Sequence, residues 1–159
     1  MDERQPISLD ELLAQKAEQI LSQLIQELKE TGGPTYEKIP IEVLQRRIHR
    51  LFDAFWQAVS QKSPEPMTEY IRKTGRERGH EGFSVAELQN VALRLRDALL
   101  ELVDKAYAGH PELQLRHSRS VEELILSGIG AGVQGYVDGR EALIARQLEA
   151  LRRVKKADE

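Results

Sequence analysis

The chain has no cysteine. That excludes disulfides, thiolate catalysis and cysteine-ligated zinc, and it is compatible with the cytoplasmic location expected here. Aromatic residues are scarce, at three Phe, four Tyr and one Trp, so an all-β core rich in aromatic and β-branched side chains is not expected. Positive charge is not in surplus either, the formal net charge being −3. Neutralising phosphates needs a basic face, so nucleic acid is not an expected partner. The two basic runs, 46–50 and 72–80, are interleaved with or flanked by acids and read as solvated helix faces. No long hydrophobic run suggests a membrane: the uncharged stretch 124–137 is well short of the roughly 20 residues a bilayer span needs. The start, MDERQPISLDELL, lacks the basic-then-apolar pattern of a secretory signal. No export is expected.

What is abundant is Leu, Ala, Glu, Gln and Arg, the composition of a water-soluble helical protein. A length of 159 residues suits one core, so a single all-α domain over 1–159 is expected, a bundle of about five to six helices with a long C-terminal helix. Three Ser-x-x-Glu capping boxes mark helix starts at Ser8/Glu11, Ser84/Glu87 and Ser120/Glu123. Ile7 with Leu12 and Phe83 with Leu88 have the spacing of hydrophobic staples.

Periodicity predicts a first helix over about 9–29, stopped by Gly32-Gly33-Pro34, and a second from Pro40 that buries Ile41, Leu44, Ile48, Leu51, Phe52, Phe55 and Val59. Trp56, the one tryptophan, is expected to be mostly buried beside that stripe. A shorter helix follows Ser63-Pro64 and ends near Gly79, and a clear one spans Val85 to about Ala106. After a turn at Gly109-His110-Pro111 and a connector, the last helix is expected to start at Ser120.

No residues converge on catalytic chemistry. His49 is placed at the edge of an apolar face near Phe52 and Trp56, as a partly buried structural residue, while His80, His110 and His117 fall in or near predicted loops. None has metal-ligand spacing, and Ser, Asp and His form no nucleophile motif. No enzyme activity, metal or cofactor is expected.

The segment SGIGAGVQGYVDG, 127–139, holds five of the eleven glycines. It is no dinucleotide loop, because Val133 occupies the third fingerprint position and no strand precedes it. Gly128, Gly132, Gly135 and Gly139 recur by four, three and four, one narrow stripe of a helix that another backbone could approach closely. A break into two helices at the glycines is the alternative. Beyond Arg140, Leu143, Ile144, Leu148, Leu151 and Val154 continue an apolar face. With Gln147 they are candidates for a homodimer interface.

The stretches GHEGFSVAELQNVALRLRDALLEL (79–102) and GREALIARQLEALRRV (139–154) resemble the N-terminal domain of RsbT co-antagonist proteins, helical sensory modules of bacterial stress signalling. The resemblance implies a dimeric, non-enzymatic input domain, with 140–159 a signalling or dimerisation helix leading to an output domain that the chain lacks. It supplies no catalytic residue. Two other functions stay open, a globin-like sensor of haem or a small molecule and a dimerisation scaffold without ligand.

Overall fold

Local sequence decides most helix boundaries. In the computed structural model, which describes residues 5–158, Ser84 accepts a hydrogen bond from the Glu87 amide at 3.1 Å, and the Glu87 carboxylate accepts one from the Ser84 amide at 3.3 Å. This reciprocal cap satisfies amides that the first turn leaves without partners. Ser8 likewise accepts from the Glu11 amide at 3.4 Å. The first helix, α1 (Leu9–Thr31), ends before Gly33, whose φ of 112° turns the chain into the short α2 (Pro34–Lys38), an element the periodicity did not announce. Lys29 seals the far end of α2 by donating to the carbonyls of Tyr36, Glu37 and Ile39 at 3.2, 3.0 and 2.6 Å.

Next come α3 (Ile41–Gln61), α4 (Glu65–Glu81), α5 (Val85–Ala106) and α6 (Pro111–Ala157). The described residues form no strand, and the fold is the all-α bundle with a long C-terminal helix that the composition predicts. Gly82, with φ of 86°, ends α4 in the left-handed conformation that glycine adopts without strain.

The expected start of α6 at Ser120 is wrong. The helix has already begun at Pro111, where a missing N–H costs nothing, and Ser120 lies inside it with its hydroxyl donating to the Arg116 carbonyl at 3.1 Å. What looked like a connector is helix, held by the half-buried Leu113 and by His117 against Tyr107. His117 therefore sits inside a helix, whereas His80 lies in the last turn of α4, next to the loop at Gly82.

Leu13, Leu28, Phe55, Leu99, Val121 and Ile125 form the centre of the core, each 1% exposed or less. Full burial of such a side chain contributes roughly 1.5 to 3 kcal/mol. Two expectations for this helix fail: Ile41, a member of the predicted stripe, is exposed, and Trp56, expected to be mostly buried beside the stripe, is 38% exposed. Phe52, Phe55 and Ala58 already fill the inward face of α3, so the indole lies at its edge and donates its N–H to the Asp10 carbonyl at 3.2 Å. His49 is exposed too, its ring Nδ1 2.7 Å from the Gln45 carbonyl oxygen.

The most extensive packing joins α4 to α6. The two helices run side by side in the same direction, and α6 passes unbroken through its five glycines. A Cβ added at Gly135 would overlap the Arg72 carbonyl oxygen, and one at Gly75 would overlap that of Gly132. One at Gly139 would stand 2.5 Å from the Arg76 carbonyl oxygen, and one at Gly79 would stand 3.1 Å from that of Tyr136. Backbone therefore meets backbone. The five glycines of α6 cost about 1 kcal/mol each relative to alanine, and the dense contact that Gly128, Gly132, Gly135 and Gly139 permit offsets this.

Candidate functional site

The same glycine seam forms one wall of a cavity. Where α3, α4, α5 and the middle of α6 meet, they line a partly open cavity of about 100 Å³, with Gly75, Gly128 and Gly132 on its surface. Ile48, Leu51, Ile71, Ala92, Ile129 and Val133 make most of the remaining wall apolar. Side chains at the glycine positions would press the helices apart.

Polar groups enter this apolar space at few points. Arg47 and Arg78 both line it, and Arg78 is the one charged residue among the buried ones described, at 8% exposure. Glu81 serves both guanidinium groups: its Oε1 accepts from Arg78 Nη1 at 2.7 Å and from Arg47 Nη2 at 3.4 Å. Arg47 Nη1 lies 3.1 Å from Glu81 Oε2, within ion-pair range but not aligned for a hydrogen bond, and it is closed to water without an acceptor. Tyr70 donates its hydroxyl to the Arg47 carbonyl, and Tyr36 donates to that of Glu87, each at 3.4 Å. Burial pushes the Tyr36 phenol far above its usual range; nearby Glu87 adds to the rise, and Arg78 and Arg47 oppose it. Tyr36 thus keeps its hydroxyl proton throughout the neutral range and can act there as a hydrogen-bond donor.

None of the four histidines lines the cavity. A haem placed there would find no imidazole ligand. His117 instead packs on Tyr107 with ring centroids 4.6 Å apart, and burial, with Arg116 adding to it, lowers its pKa. Among the described residues no group of three His, Asp or Glu side chains is placed to hold a metal ion.

A family model described as the RsbT co-antagonist protein rsbRD N-terminal domain matches residues 10–151. The chain belongs to this family. The matched span takes in every residue lining the cavity and most of α6. No curated protein and no solved structure matches the chain. The family is one of stress-signalling domains and not a known enzyme class. Among the described residues no helix is long and apolar enough to cross a membrane.

Within this family member, Gly128, Gly132, Gly135 and Gly139 all face α4: Gly128 and Gly132 look onto the side chains of Met67 and Ile71, and Gly135 and Gly139 onto backbone. Gly130 faces open space. Further along α6, Leu143 is half-buried, while Ile144, Gln147, Leu148, Leu151 and Val154 are exposed. Sequence reasoning missed Gly75 and Gly79, the α4 half of the seam. Their spacing of four inside RKTGRERGH was the available signal. It also read both basic runs as solvated faces, whereas Arg47 and Arg78 turn inward to the cavity. No pattern in either run distinguishes those two arginines from their exposed neighbours.

Proposed function

We propose that the chain is a non-enzymatic signal-input domain that passes occupancy of the cavity along α6 to a second copy of itself and to a downstream output domain or protein, in the cytoplasm. The observation that carries this reading is the continuity of α6. Gly128, Ile129, Gly132, Val133 and Tyr136 of that helix form cavity wall, and from Ile144 to Asp158 every described residue is exposed. A rigid helix that is wall at one end and free surface at the other converts a change in helix packing into displacement of its tip. The close seam with α4 supports this, since backbone contacts without intervening side chains leave little slack to absorb a shift.

The absence of cysteine makes the test direct. Ala150→Cys gives one labelling site on the projecting part of α6, and a spin label there reports the distance between copies in the dimer. Ala92→Phe, which adds bulk to the cavity wall, should shift that distance distribution. An unchanged distribution, or no measurable inter-label distance in concentrated protein, would overturn the reading.

A further inference from the structure

The exposed apolar face of α6 does not begin at Ile144. Leu115, Leu126 and Val137 are exposed as well, at 54%, 63% and 42%, and with Leu148 they stand eleven residues apart along the helix. Eleven residues are close to three whole turns, so this repeat keeps to one side of a nearly straight helix. Ile144 and Leu151 fall on the same side, and at 100° per residue all six lie within about 60° of one another. A stripe that narrow is a seam for one partner helix, whereas a helix covered by a core carries an apolar face of about 100° or more.

Size says how far the seam must run. The end of α6 alone, from Ile144 to Val154, offers a strip about 15 Å long and about 10 Å wide, on the order of 300 Å² over two copies, far short of the roughly 1,000 Å² of a specific interface. From Leu115 to Val154 the strip is about 60 Å long and covers on the order of 1,200 Å² over two copies. We infer that a second copy lies along α6 from Leu115 onward, parallel and in register, so that Leu115, Leu126 and Val137 each face their own counterparts and the two bundles touch as well as the two projecting ends. The inference rests on the homodimer reading above and extends its interface over the body of the molecule. Charge fits the arrangement. Arg140 and Glu141 flank the stripe on opposite sides, and a two-fold axis along the helices brings Arg140 of one copy beside Glu141 of the other. Arg119, within the stripe, comes within one turn of Glu122 of the other copy.

Disulfide trapping tests this, because the chain has no cysteine of its own. Under mild copper-phenanthroline oxidation of dilute protein, Leu126→Cys should cross-link most of the chain into a covalent dimer, and Ser22→Cys, exposed on α1, should not. Leu126→Asp should raise the dimer dissociation constant by roughly tenfold or more in light scattering. Its helical circular dichroism should be kept, since Leu126 makes no part of the core, and if that variant unfolds the cross-link decides. Cross-linking of Leu126→Cys no faster than that of Ser22→Cys overturns the inference, and so does a folded Leu126→Asp variant as dimeric as the unaltered chain. If Leu148→Asp still separates the copies in that case, the ends alone pair and the input reading stands. An unaltered chain that is monomeric at high micromolar concentration overturns both.

Discussion

Glu87 ties three pieces of chain together with one carboxylate. It accepts from the Thr35 hydroxyl at 2.9 Å and the Thr35 amide at 3.3 Å while closing the cap of α5 on Ser84. Burial pushes the Glu87 carboxyl up, but the hydrogen bonds from Thr35 and Ser84 outweigh it and hold the pKa below the usual 4.5. A carboxyl with a lowered folded pKa stabilises the fold above its unfolded value, and that contribution is lost as pH falls through the folded one. Glu87→Ala should therefore cost about 1 to 2 kcal/mol in urea unfolding at neutral pH. The gap from the unaltered protein should narrow steadily below pH about 4.5; an equal gap at low pH would show that packing, and not charge, is what was lost. Trp56 supplies a second check at this scale. At 38% exposure its fluorescence should be quenched readily by iodide, and a shielded indole would contradict its place at the edge of α3.

Single helices were legible where both ends carry their own chemistry. The cap at Ser84 and the apolar repeat fix α5 at Val85–Ala106, as the periodicity predicts. The start of α6 was misread because Ser120 and Glu123 imitate a cap, and a local pattern does not reveal that helix is already present upstream. Pairing between helices was less legible still. The α6 glycines stand out by number, but the seam exists only because Gly75 and Gly79 answer them from a distant segment, and the cavity needs residues from four helices at once. The seam yields a paired prediction of opposite sign. Gly130→Ala adds a methyl in open space and should stabilise by up to about 1 kcal/mol through helix propensity alone. Gly135→Ala gains the same propensity, but its methyl overlaps the Arg72 carbonyl, and relieving that overlap costs about 1 to 3 kcal/mol. The second variant should melt below the first, and below or near the unaltered protein. Equal stabilisation by both would mean that α4 and α6 lie farther apart.

For the whole molecule, the decisive surface is the part of α6 that none of the described residues covers. Ile144, Leu148, Leu151 and Val154 are each at least half exposed, at 50%, 51%, 66% and 61%, over a stretch of helix about 15 Å long. Ile144, Leu148 and Leu151 recur by four and three, the spacing of a seam between two helices, and Val154 lies beside them one turn on. A helix this long without tertiary packing gains little stability alone, because most helical stability in water comes from burying an apolar face. A second copy of the same helix offers that burial, worth roughly 1.5 to 3 kcal/mol for each Leu or Ile fully covered. Leu148→Asp places a charge in the middle of the seam, where two copies would oppose each other. The expected result is a shift from dimer to monomer in light scattering at micromolar concentration. Helical circular dichroism should be largely kept, since Leu148 makes no part of the core. An unaltered protein that is monomeric at high micromolar concentration would sink the dimer. A variant that stays dimeric would move the interface off this face of α6, and the distance measured from position 150 would have to be reread accordingly.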